Sequence, residues 1–333
     1  MRLLTALLLA LLPTLAAAQN RTEILLLGTA GGPPLRVERS EPSTLLIVDG
    51  RRYLIDCGIG TIRRLLRAGI PSETIGTIFI THHHPDHDLG LADMMSNDIF
   101  EMNLANAQSP IDVYGPVPTK EFVDAAFRYI GIPYAILTAE PSGLRAGLRN
   151  HALTNPFTAH EIQHDGVIFQ DDKIRVVAAE NSHFSRLPAA FAAMKSFSYR
   201  FETPHGSVVF TGDTGPSDAL IKLAKGADVL VSEVEDLGAA IQMVRGVAEK
   251  NHWPADRAQG LIDHMRLTHL DLPEVANIAT KAGVKSVVLY HFDPKDPAAH
   301  VAAVKKSFAG PVFAGADLDR YCLNAPSFGP CHE

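Results

Sequence analysis

The stretch Thr81-His82-His83-His84-Pro85-Asp86-His87 follows a short apolar run, Thr77-Ile78-Phe79-Ile80. A strand that stops in spaced imidazoles and a carboxylate gathers metal-ligand side chains on one loop at a sheet edge, which core packing does not require. His82 and His84 can face the same side of an extended loop, while Asp86 and His87 continue around the turn. One ion suits the first pair and a second ion the other, and each needs further ligands from elsewhere.

Other strand ends offer them. His183 comes after Val176-Val177-Ala178-Ala179, Asp213 after Val208-Val209-Phe210-Thr211-Gly212, and His291 after Val287-Val288-Leu289-Tyr290. Strand ends that emerge on one rim of a sandwich converge in space. A first series of strand-like runs covers 23–27, 44–48, 53–55, 77–80 and 111–114, with a helical run over 61–68. A second series covers 173–179, 196–202, 207–211, 229–232 and 286–290, with helical segments over 217–225, 254–266 and 273–282 between them. Strands first, then strand and helix in alternation, predict two sheets packed face to face with helices outside. Between the two series, residues 94–163 carry many prolines and one clear helix, over 119–130, and read as a side insertion or lid.

These motifs, in this order, resemble the metallo-β-lactamase superfamily: Asp56 after a strand, the HxHxDH loop, His183, Thr211-Gly212-Asp213-Thr214 and His291. The resemblance implies an α/β fold, an αββα sandwich of two packed mixed sheets with helices on the outer faces. It also implies that His82, His84 and His183 hold one zinc, that Asp86, His87 and His291 hold the other, and that Asp213 bridges them. His83, between two ligands, is expected to be exposed or to support them from behind. Nitrogen and carboxylate donors without cysteine suit zinc, and manganese or iron accept them too. A di-iron branch of the same fold has glutamate in place of the second histidine, so His84 argues against it.

His160-Glu161-Ile162-Gln163-His164 spells HExxH, the metallopeptidase motif, which works only on a helix. Asn155-Pro156 before it and Asp165-Gly166 after it predict strand and turn instead.

Two close zinc ions bring the pKa of a bridging water near neutrality, making hydroxide available for attack on an ester or amide. Leu27-Gly28-Thr29-Ala30-Gly31-Gly32-Pro33, Asp56-Cys57-Gly58-Ile59-Gly60-Thr61 and Thr211-Gly212-Asp213-Thr214-Gly215-Pro216-Ser217 resemble the ribonuclease Z branch, which includes arylsulfatases and phosphodiesterases. By the same resemblance, Asp86 orients or deprotonates the attacking water, and Glu233 and His269 match an acid and histidine pair that assists the leaving group. The competing reading of His269 is a helix cap before Pro273. Ribonuclease Z carries a long basic arm that grips transfer RNA between the third histidine and the bridging aspartate. Here Ser198-Tyr199-Arg200-Phe201-Glu202 turns through Thr203-Pro204-His205-Gly206 into Ser207-Val208-Val209-Phe210, a plain hairpin without room for that arm. Phe184, Trp253 and Phe292 fall near pocket-forming loops.

The chain opens with Met1-Arg2, an apolar run from Leu3 to Leu15, and Ala16-Ala17-Ala18, the layout of a cleavable secretory leader over 1–18. The run is too short to span a bilayer, and none of about 18 apolar residues follows. Export to the periplasm or medium is expected, with one hydrolase domain over 19–333 and no membrane association. The formal charge is 30 − 37 = −7, and loss of Arg2 makes it −8. A mildly acidic chain lacks the basic surface of a nucleic-acid binder, so a small anionic ester substrate and no nucleic acid are expected, with a homodimer allowed for. Cys322 and Cys331 are close enough to clip the tail, and Cys57 reads as a small buried residue beside a turn, with a thiolate near the metal as the alternative.

The sequence thus predicts an exported binuclear zinc hydrolase of a phosphodiester or aryl sulfate ester. A lactonase or β-lactamase is the alternative enzyme reading, and a zinc-binding protein without turnover is the alternative outside enzymes.

Overall fold

The computed structural model describes residues 20–105, 109–139, 153–292 and 296–331. The leader expected over 1–18 lies outside them. In chain order the elements begin with β1 (Thr22–Gly28), β2 (Ser43–Val48), β3 (Arg51–Ile55), α1 (Thr61–Arg67), β4 (Thr77–Phe79), α2 (Pro85–Asp88) and α3 (Gly90–Leu104). Next come β5 (Ile111–Pro116), α4 (Thr119–Ala139), β6 (Phe157–Ile162), β7 (Gly166–Gln170), β8 (Arg175–Glu180), β9 (Phe197–Thr203) and β10 (Gly206–Phe210). The chain continues through α5 (Asp218–Leu223), β11 (Val229–Glu233), α6 (Leu237–Lys250), α7 (Ala255–Thr268), α8 (Leu272–Ala282) and β12 (Ser286–Tyr290). It ends with α9 (Pro297–Lys305), β13 (Val312–Ala314), β14 (Arg320–Asn324) and β15 (Ser327–Pro330).

The strands form two sheets, ordered β15-β14-β1-β2-β3-β4-β5-β6 and β13-β12-β11-β10-β9-β8-β7. Both are mixed: β3 to β6 run parallel beside antiparallel β1 to β3, and β10 to β13 run parallel beside antiparallel β7 to β10. This is the αββα sandwich that the sequence implied.

Why the strands are apolar on both faces follows from the period of two. Ile24 and Leu26 of β1 and Phe79 of β4 point into the core between the sheets, where Phe201, Phe210, Val229 and Val231 meet them. Their neighbours Leu25, Leu27, Ile78 and Ile80 point outward against Leu65 of α1, Met94 and Met95 of α3 and Val123 of α4. On the other sheet Val209, Leu230, Val287 and Leu289 face Leu220 of α5, Val275 and Ile278 of α8 and Val304 of α9. Each such side chain taken from water contributes about 1.5–3 kcal/mol before chain entropy is charged against it.

Residues 94–163, expected as a side insertion with one helix, instead supply β5 and β6 to the first sheet and part of α3 and α4 to its outer layer. The prolines punctuate this segment: Pro110 and Pro156 precede strands, Pro116 ends one and Pro118 precedes α4. The HExxH segment spans the end of β6, where His160 pairs with Asp112 at 2.7 Å and stacks on Tyr114, so it forms no peptidase helix. Cys322 and Cys331 are joined by a disulfide across the final hairpin, and Cys57 is buried in the outer core. Among the described residues no helix is long and apolar enough to cross a membrane.

Candidate metal centre

β3, β4, β8, β10, β11 and β12 all deliver their C-terminal ends to the same rim, and each end carries a site residue: Asp56, the His82–His87 loop, His183, Asp213, Glu233 and His291. Two groups result. His82, His84, His183 and Asp213 have ligand atoms within 4.8 Å of one another, as do Asp86, His87, Asp213 and His291. Asp213 stands between them, with Oδ2 3.8 Å from His82 Nε2 and 3.3 Å from His291 Nε2, and Oδ1 3.3 Å from His87 Nε2.

The donors are held from behind. Asp56, in the left-handed region at φ 56, accepts the Thr81 N–H at 2.7 Å and lies 2.8 Å from His87 Nδ1, which leaves His87 Nε2 directed at Asp213. The Thr268 carbonyl accepts the His183 Nδ1 proton at 2.7 Å. Asp86 Oδ2 accepts the Gly32 N–H at 3.1 Å, and a side chain at Gly32 would collide with that carboxylate. His83 turns away from its neighbours to Asp88 at 2.8 Å, the Pro116 carbonyl at 3.1 Å and Thr119 Oγ1 at 3.0 Å. It thereby ties the loop to the start of α4, as the expected supporting role requires.

The donor set fits divalent metal ions on two counts. First, Nε2 of His82, His87 and His291 and Oδ1 of Asp213 are buried without a hydrogen-bond partner, a costly arrangement unless a cation meets them. Second, burial holds His82, His84 and His183 below the usual imidazole range, His84 down to about 4 and His183 to about 3, so the three rings are uncharged at neutral pH, the form that binds a metal. In the other group burial disfavours charge on His87 and His291, but Asp213 and the nearby carboxylates outweigh it and raise both. Burial likewise opposes the Asp86 carboxylate, yet His87 and His291 bring its pKa down to about 2. That half of the site attracts positive charge.

Beside the second group, Glu233 Oε2 lies 2.8 Å from His269 Nδ1, and His269 Nδ1 is 3.8 Å from Asp213 Oδ2. Burial opposes a charged His269, but Glu233 and Asp213 prevail and raise its pKa. Asp271 and not His269 caps the start of α8, its side chain accepting the Glu274 N–H at 2.9 Å, while His269 is the C-cap residue of α7. Phe184 packs its ring against those of His82, His84 and His183. Phe292 is buried in the outer core beneath Arg39, and Trp253 stacks on Arg257. Sequence reasoning missed His264, whose ring is 6.1 Å from that of His183 and 5.6 Å from that of His269. Its only sequence signal is the four-residue step to Thr268 on one helix face.

The Beta-lactamase superfamily domain matches residues 51–292. The chain belongs to the metallo-β-lactamase superfamily of hydrolases. Within it, the chain is 30% identical over 307 residues to Ribonuclease Z of Mycobacterium marinum, covering 91% of this chain and 99% of that one. It is 29% identical over 302 residues to Ribonuclease Z of Mycobacterium bovis, covering 90% and 97%. Among solved structures, the metallo-beta-lactamase fold protein YhfI of Bacillus subtilis superimposes with a TM-score of 0.64 at 17% identity, covering 91% of this chain and 99% of that one. Human tRNase Z, short form, does so with a TM-score of 0.61 at 20% identity, covering 90% and 98%.

These relatives correct one expectation. Small ester substrates and no nucleic acid were inferred from net charge, yet proteins named for a ribonuclease match nearly the whole chain. Net charge averages over the entire surface and does not describe the cleft where a scissile bond sits. The hairpin without an arm does form, as β9 and β10, but it does not outweigh that match.

Proposed function

We propose that this chain is an exported, metal-dependent phosphodiesterase that cleaves RNA. The observation that carries the reading is the His269–Glu233 pair, 2.8 Å apart, set beside two groups of metal-ligand side chains. An alkoxide leaving group needs a proton, and this pair is placed to give one. The ribonuclease relatives support phosphorus as the reacting centre over sulfur or carbonyl carbon.

In this reading His82, His84 and His183 would hold one zinc ion and Asp86, His87 and His291 the other, with Asp213 shared. Such a pair, when bound, supplies an acidified water and neutralises charge on the phosphate. Asp86, fixed by the Gly32 amide, would orient the attacking water. Glu233 accepts the Nδ1 proton of His269, so the Nε2 proton passes to the leaving oxygen as the P–O bond breaks. Phe184 shields the histidines of the first group from solvent.

The test is turnover by zinc-loaded protein of an RNA oligonucleotide, a bis-aryl phosphate, an aryl sulfate, a homoserine lactone and a cephalosporin. Cleavage of the first two is expected. Turnover of the sulfate alone, or of the last two alone, makes the chain a sulfatase or a carbonyl hydrolase instead. Export rests on the leader-like start, and a mature N-terminus at Gln19 in the periplasmic fraction checks it.

A further inference from the structure

His264 has no role in the chemistry above, yet it stands on the last turns of α7 beside both His183 and His269. It is exposed, whereas the ligand histidines around it are buried or half-buried. Its tautomer follows from its partner. The Thr268 hydroxyl has one proton, directed at the His264 carbonyl 2.7 Å away. The same hydroxyl oxygen lies 3.2 Å from His264 Nδ1 and therefore receives the Nδ1 proton. In the neutral ring, Nε2 is then a lone-pair acceptor. Nε2 makes no hydrogen bond among the described residues. Thr268 also fixes His183 through its carbonyl, so His264 is held in register with the metal centre by the residue that orients a ligand.

We infer that His264 is a specificity residue whose Nε2 accepts a hydrogen bond from a substrate hydroxyl next to the scissile phosphate. This rests on the proposed RNA phosphodiesterase activity, in which that hydroxyl is the ribose 2′-hydroxyl, the group by which a protein distinguishes RNA from DNA. A cationic side chain at this position would grip any phosphate, whereas an acceptor discriminates by the presence of a donor.

The experiment compares two oligonucleotides at pH 8, where an ordinary imidazole is neutral. One is all-ribose, and the other carries a single 2′-deoxy nucleotide on the 5′ side of the cleaved bond. Zinc-loaded wild type is expected to favour the ribose substrate by about fivefold in kcat/KM, the worth of one ordinary hydrogen bond. In His264→Ala that preference falls to near unity because only the ribose substrate slows, while zinc content stays at the wild-type level. His264→Gln, which keeps an acceptor, restores part of the preference. If both oligonucleotides are cleaved and the ratio in His264→Ala equals that of wild type, the inference is overturned while the phosphodiesterase reading stands. If neither is cleaved, the phosphodiesterase reading fails and takes the inference with it.

Discussion

Oε2 of Glu233 lies 2.8 Å from Nδ1 of His269, on the edge of the site next to Asp213 rather than among the ligand pairs of the first metal group. Glu233 thus engages the Nδ1 of His269, although both residues also stand with Asp213 and His291 in a group able to hold a cation. His269→Ala is expected to keep its metal and lose kcat by roughly 10²- to 10⁴-fold, the usual worth of a positioned general acid. Elemental analysis beside steady-state kinetics reads both quantities. Metal loss in step with rate would make His269 a ligand.

Asp56 is buried behind the site and fixes both the backbone of Thr81 and the ring of His87. Asp56→Ala should lower metal affinity roughly 10- to 100-fold, the usual effect of removing a carboxylate that orients a ligand histidine. Competition with a chelator measures it, and an unchanged affinity would mean that packing alone holds His87.

Phe79 is fully buried between the sheets, with the rings of Tyr114, Phe169, Tyr199 and Phe201 around it. Phe79→Ala should cost about 3–5 kcal/mol in denaturant unfolding, from lost transfer energy and the cavity left behind. A loss below 1 kcal/mol would show that the two sheets are not packed through this residue.

Asp98 of α3 is buried; the Ser72 hydroxyl donates to its Oδ1, and its Oδ2 has no partner. Burial raises its pKa to about 6. The native state therefore binds this proton more tightly than the unfolded chain. The resulting stability is complete below pH about 4 and is lost as pH rises through about 6. Asp98→Asn should be more stable than wild type by about 1–3 kcal/mol at pH 8, with the difference shrinking towards pH 4. A difference that does not change with pH would show that Asp98 does not titrate in this window.

What the sequence made legible followed residue type. The HxHxDH loop, Asp213 and His291 stood out because ionisable side chains interrupt apolar strands, and β1 to β4 because their apolar runs are dense. The strands β13 to β15 did not stand out, since Val312–Ala314 is three residues long and Arg320–Asn324 has a short apolar run between polar ends. Helix α3 was obscured by the proline-rich stretch beyond it, although Leu91, Met94, Met95, Ile99 and Met102 keep the helical spacing of a buried stripe. The Thr268 carbonyl behind His183 and the Gly32 amide on Asp86 were out of reach for a different reason. Every residue type offers the first and nearly every type the second, so only the fold reveals them.

The account depends on a pair of cations shared by Asp213. Its most direct test is zinc titration of metal-stripped wild type and Asp213→Ala, with bound metal counted after gel filtration and phosphodiesterase activity followed in parallel. Wild type is predicted to retain two ions per chain and gain activity as they bind, while Asp213→Ala retains neither tightly and stays inactive. Wild type that retains no ion, or a variant that keeps both ions and full activity, would contradict it.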